Sequence, residues 1–138
     1  AGHIGHVIVE PNGRRCTCGG RGCLEAEASG PAIEAITGRS PTQPTYEIMV
    51  RTGRLVGRGV ASACNLLDLK LVVVGGSVAL GFGATFFNAA QRTLDELCTI
   101  EFSRKARIVP TRLSDEGPLI GASAVGWRGL NRMATVRD

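Results

Sequence analysis

The sequence predicts an α/β fold with a parallel sheet, and two observations carry the prediction. Residues 69–74 form a strand-like run, Leu69-Lys70-Leu71-Val72-Val73-Val74, aliphatic without interruption from Leu71. A β-branched run of this kind suits a strand buried on both faces in the middle of a parallel sheet. That run passes into Gly75-Gly76-Ser77 and then a helical pattern, and a second short β-like run follows at 106–110. Strand, glycine turn, helix and strand is the unit from which parallel sheets are built.

Taken in order, the chain opens on an extended run, His6-Val7-Ile8-Val9, read as the start of a strand. Residues 24–36 read as helix interrupted at Ser29-Gly30-Pro31, where Ser29 would cap a second short helix with Pro31 in its first turn and Gly38 would close it. Two prolines make 39–45 a loop. A long helix is expected over 46–67, with Met49, Val56, Val60, Ala63 and Leu67 on its apolar face. Gly53, Gly57 and Gly59 lie inside it. Each costs about 1 kcal/mol relative to alanine, which points to close backbone approach by a neighbour. That small-residue face fits a core better than a subunit interface. A further helix is expected from about Gly83 to Cys98, with Phe86, Ala90, Leu94 and Leu97 on one side. The 106–110 strand ends at Pro110. A last helix opens at about Glu116, with small residues suited to close packing, and residues 128–138 read as a frayed tail.

The richest chemistry lies near the start. His6, Cys16, Cys18 and Cys23 fall within one short segment, with Gly19, Gly20 and Gly22 between the last two cysteines. One imidazole and three thiolates are a complete tetrahedral set for a structural zinc ion, and the glycines allow the chain to fold back on it. Disulfide or redox use of the cysteines is the competing reading. The total of five cysteines is odd, Cys64 and Cys98 stand alone in apolar helical contexts, and Cys-x-Cys lacks the two-residue spacing of redox pairs. A reduced chain fits better.

These residues also carry a resemblance. Gly-x-Ile-Gly-His at 2–6, Cys-x-Cys-Gly-x-x-Gly-Cys-x-Glu at 16–25 and Ser-Gly-x-Ala-Ile at 29–33 resemble the signature of the ROK family (repressor, open reading frame, kinase). That resemblance implies the C-terminal lobe portion of the actin-like, hexokinase-type ATPase fold, with a zinc-binding loop. It divides the chain into the first strand and zinc loop of the sugar site at 1–25, an α/β nucleotide-side lobe at 26–127 and a tail at 128–138. His6 would both bind zinc and contact sugar, and Glu25 would hold sugar hydroxyls. His3 stands where many members have an acidic sugar-binding residue, and an imidazole still donates to or accepts from a hydroxyl. Gly75, Gly76 and Ser77 match the segment lining the adenosine pocket, with Ser77 where a third glycine is common.

The activity implied is transfer of phosphate from ATP, with Mg²⁺, to a hexose such as glucose; the alternative is the sugar-sensing domain of a ROK transcriptional regulator. Neither an Asp-x-Gly-Gly-Thr phosphate loop nor the Asn-Asp segment of the family's catalytic base occurs in the chain. The expectation is therefore a C-terminal portion without a catalytic base, inactive by itself. A homodimer is compatible with the resemblance.

Composition sets the remaining bounds. The 138 residues are one domain's worth, with 43% hydrophobic and 20% charged residues. The net charge of +4 comes from basic residues scattered along the chain, and the aromatics, four Phe, one Tyr and one Trp, do not interleave with them. No nucleic-acid surface is expected through this segment. The longest aliphatic runs are far too short to span a bilayer and no leader is recognisable, so a cytoplasmic setting is expected.

Overall fold

The structure, a computed structural model, describes residues 2–113 and 116–134. The chain starts with a 3-10 turn at Ile4–His6 and an irregular loop, then forms helices α1 (Leu24–Ala28), α2 (Gly30–Thr37) and α3 (Tyr46–Leu67). Strand β1 (Leu71–Val74), helix α4 (Ser77–Leu97), strand β2 (Arg107–Pro110) and helix α5 (Gly117–Ala134) complete it. The two strands are parallel, pairing Leu71 with Arg107 through to Val74 with Pro110, and α4 is the crossover that parallel pairing requires. Among the described residues no helix is long and apolar enough to cross a membrane.

Local signals account for the boundaries. The Ser29 hydroxyl accepts the Ala32 N–H at 3.2 Å, with Pro31 in the first turn of α2, and Gly38 takes the left-handed cap at φ 67°. Thr45 caps α3 in the same way by accepting from the Ile48 N–H. Each such cap contributes about 1 kcal/mol. The core lies between α3 and α4. Val60, Ala61 and Cys64 meet Ala90, Leu94, Cys98 and Ile108, and a second cluster joins Ile33 and Ile48 to Ala79, Phe82 and Phe86. The α3 glycines permit this closeness. A Cβ at Gly53 would stand 2.4 Å from the Phe86 carbonyl oxygen, and one at Gly57 would stand 2.6 Å from that of Ala90.

Five expectations need correction. His6 sits in the 3-10 turn rather than in a strand; isolated bridges, Ile8 with Cys23 and Arg15 with Arg21, follow it. The buried face of α3 runs through Ile48, Thr52, Leu55, Val60 and Cys64, whereas Leu67 is exposed, because the helix presents a broad glycine-lined side to both α4 and the loop. Strand β1 begins at Leu71, and Leu71 and Val73 are each 58% exposed, so among the described residues only the face toward α4 is covered. Helix α4 starts at Ser77, since Gly76 already terminates the strand, and the expected start at Gly83 is instead a break within the helix (φ 58°, ψ −143°), while Leu97 at its end is exposed. Helix α5 continues past Trp127 to Ala134, and its residues from Leu119 through Gly129 are exposed rather than closely packed. The last four tail positions lie outside the described residues.

Candidate functional site: a four-ligand loop facing a carboxylate

Two extended arms and one helix start build the loop. Ile8 bridges to Cys23, and Val9 and Glu10 both donate backbone N–H groups to Gly22 O. Beyond them Arg15 bridges to Arg21, and Cys16 N donates to Gly20 O at 2.9 Å, closing a tight knuckle around Cys18. Gly22 is required at its root. Its φ is 72°, and a Cβ there would fall 1.7 Å from the Glu10 carbonyl oxygen. Val9, Leu24 and Leu55 form a small apolar cluster that seats the assembly on α3.

This geometry brings all four predicted ligands together. The ligand atoms of His6, Cys16, Cys18 and Cys23 lie within 4.8 Å of one another. Cys16 Sγ is 3.8 Å from His6 Nδ1, and Cys18 Sγ is 3.6 Å from Cys23 Sγ. Tetrahedral zinc with bonds of about 2.3 Å holds its sulfurs roughly 3.8 Å apart, so the donor set and spacing fit that ion. All five cysteines are free thiols, and Cys64 and Cys98 are buried away from the loop, where burial pushes both thiols up.

Electrostatics favours a cation at the same point. The backbone N–H of Cys18, with smaller help from the Cys18 thiol and His6, holds the Cys16 thiol down to about 7. Burial, reinforced by the neighbouring Cys18 and Cys16 thiols, pushes Cys23 up to about 12. Clustered thiols do not ionise together without a compensating charge. Zinc uptake is therefore expected to release protons and to tighten as pH rises. The proton from Cys23 is displaced throughout the neutral range, and the proton on Cys16 is displaced as well once pH falls below about 7. Metal-competition titrations at several pH values read this directly, and an affinity indifferent to pH would contradict thiolate ligation.

His6 faces two ways. Its Nδ1 is turned to the thiols, while its Nε2 lies 4.0 Å from Glu25 Oε2, on the first turn of α1. Glu25 is about half exposed and borders Gly5, and the His3 ring stands 6.0 Å from that of His6. The structure thus sets His3, His6 and Glu25 around one open surface.

Gly75, Gly76 and Ser77 form a second locus where β1 ends and α4 begins. No side chain caps α4 there, and the three residues line a cleft of ≈ 310 Å³ with Ala28, Val74 and Val78. The cleft reaches α1, the helix that also carries Glu25.

Sequence reasoning passed over the groups that fix the loop to α3. Arg58 donates to Val9 O at 2.8 Å and to the Glu10 carboxylate at 3.2 Å, and Arg51 grips Glu27, a carboxylate only 2% exposed. The available signal was Glu27 itself, a charge one turn from Leu24 on the apolar side of a short helix.

The family model described as the ROK family matches residues 1–127. An N-acetylmannosamine kinase of Haemophilus influenzae (strain PittEE) is 34% identical over 138 residues, covering 89% of this chain and 44% of that protein. The ROK hexokinase structure from Thermus thermophilus matches with a TM-score of 0.73 at 28% identity, over 88% of this chain and 46% of that one. A ROK family transcriptional regulator, homolog of the E. coli MLC protein, shares the fold with a TM-score of 0.66 at 23% identity, over 79% of this chain and 34% of that one. The chain spans less than half the length of these relatives. With the segments at 2–6 and 16–25 folded into one loop that gathers His6 and three cysteines on an α/β scaffold, the chain belongs to the ROK family.

Proposed function

We propose that this chain is the sugar-binding and nucleotide-side part of an ATP-dependent hexose kinase. The two-faced imidazole of His6 carries the reading. Zinc held by His6, Cys16, Cys18 and Cys23 would be structural, since four protein ligands leave no open position for substrate. A ligand at Nδ1 places the remaining imidazole proton on Nε2, on the side facing Glu25. An N–H donor beside a carboxylate acceptor suits vicinal sugar hydroxyls, which both donate and accept. His3 extends the same surface, and Gly75, Gly76 and Ser77 would receive the adenosine part of ATP in the cleft where β1 ends and α4 begins.

Transfer of the γ-phosphoryl group depends on placing donor, Mg²⁺ and the attacking hydroxyl together, with a base supplied by the rest of the complete protein. The similarity to N-acetylmannosamine kinases makes a 2-acetamido hexose the first substrate to test, with glucose beside it. A cytoplasmic setting suits both an ATP-dependent reaction and reduced thiols.

The deciding variant is Glu25→Gln in the complete protein, which keeps the side chain's shape and removes its charge. A hydrogen bond to a charged acceptor is worth roughly 1.5–3 kcal/mol, so kcat/KM for the sugar is expected to fall about 10- to 150-fold. An unchanged value leaves Glu25 as a helix-start carboxylate and removes it from the sugar site. The regulator shares this fold, and a complete protein that binds sugar yet phosphorylates none of the hexoses with ATP would move the chain to that branch.

A further inference from the structure

Glu27 has no part in the ligand set or in the sugar surface, yet it is one of the most deeply buried charged groups described, at 2% exposure. Burial of a carboxylate is costly unless every oxygen is used. Here both are. Oε1 accepts the backbone N–H of Arg14 at 2.5 Å, and Oε2 accepts Arg51 Nη2 at 2.5 Å. Arg51 also donates through Nη1 to the Glu27 carbonyl at 2.8 Å, so one guanidinium holds both ends of this residue. A Cβ on Gly13 would lie 2.2 Å from Oε1, which keeps that position open for the carboxylate.

The location of these bonds gives them a consequence beyond joining two helices. The metal ligands arrive from different parts of the chain. Cys16 and Cys18 ride on the knuckle, whereas Cys23 immediately precedes α1, the helix bearing both Glu25 and Glu27. Arg14 is at the root of the knuckle, where its carbonyl also accepts the Gly22 N–H at 2.8 Å. The Glu27 carboxylate therefore ties the arm carrying Cys16 and Cys18 to the helix that follows Cys23, and Arg51 anchors the tie to α3.

We propose that Glu27 is a positioning residue for the metal loop: through the Arg14 N–H and the Arg51 guanidinium it sets the Cys16–Cys18 knuckle where its thiols can share one ion with Cys23 and His6. The proposal rests on the zinc reading of those four residues. Glu27→Gln keeps one oxygen to accept the Arg14 N–H but turns an amide N–H donor toward the Arg51 guanidinium, so the arm is held less firmly.

Zinc affinity of the protein and its variants is measured by competition with a chromophoric chelator, alongside the cobalt(II) absorption of the substituted site and thermal unfolding without metal. Residues that orient metal ligands change affinity by roughly 10- to 100-fold when replaced. Glu27→Gln is expected to lose affinity in that range and to alter the cobalt bands. Arg51→Lys, which leaves the carboxylate on the Arg14 N–H, is expected to lose less, and it decides the question where Glu27→Gln does not fold. Variants that unfold earlier but bind zinc as tightly as the native protein, with unchanged cobalt bands, would make Glu27 a strut between α1 and α3 and overturn the proposal. A native protein that takes up no zinc would overturn the zinc reading instead.

Discussion

Serine at position 18 is expected to leave the chain without bound zinc at metal concentrations that saturate the native loop. Cys18 Sγ is 3.6 Å from Cys23 Sγ and belongs to a set of four donors within 4.8 Å. A serine hydroxyl stays protonated near neutral pH and is a much poorer zinc ligand than a thiolate. Loss of a group that merely orients a ligand costs about 10- to 100-fold in affinity, so loss of a ligand itself should exceed the upper end of that range. The exposed Cys18 side chain has little packing to lose, so the change isolates ligation from folding of the α3–α4 core. Metal analysis after purification gives the result. Cys64→Ala serves as the control: its thiol is buried in the core cluster with Val60 and Leu94 and should leave zinc content unchanged. Equal zinc in the Cys18→Ser and native proteins would end the ligand assignment.

What could be read from the sequence divides along physical lines. The grouping of His6, Cys16, Cys18 and Cys23 was legible because a shared ion would restrict residue type and spacing together, and the glycines between the cysteines let the chain fold back. The second helix of the 24–37 stretch was legible because its caps are local: Ser29 and Gly38 act on residues within one turn, whereas Thr45, an equally local cap of the 46–67 helix, was passed over. Partners that lie far apart in sequence were not legible. Glu27 meets Arg51 and Arg14 only after the loop has folded back, and no local pattern names a partner for a buried carboxylate. The β-branched run at 71–74 suggests burial on both faces, yet Leu71 and Val73 are exposed here, since hydrophobicity reports what a strand needs and not what this length of chain supplies. Position 83 misled for a related reason. Glycine signals either a helix start or a break, and only the backbone, with φ at 58°, shows that the helix runs on both sides of it.

The glycines of α3 give the second large effect. At Gly57 an added Cβ would stand 2.6 Å from the Ala90 carbonyl oxygen and 2.8 Å from Thr93 Cβ, and backbone offers no rotamer by which to escape. Leucine there forces α3 from α4 along the seam that buries Val60, Cys64 and Leu94. Overpacking in a filled core costs about 1–3 kcal/mol and sometimes more, and a full leucine side chain against backbone belongs at or above the top of that range. Against a total stability of about 5–15 kcal/mol, such a loss threatens folding outright. The sign of the effect separates close packing from simple helix propensity. Gly81 on α4 is also helical, but an added Cβ meets nothing within 4 Å, so Gly81→Ala is expected to stabilise by up to about 1 kcal/mol. Denaturant midpoints measure both. Gly57→Leu should move the midpoint sharply down and Gly81→Ala slightly up; a Gly57→Leu protein as stable as the native one would mean that α3 and α4 are not in backbone contact at this position.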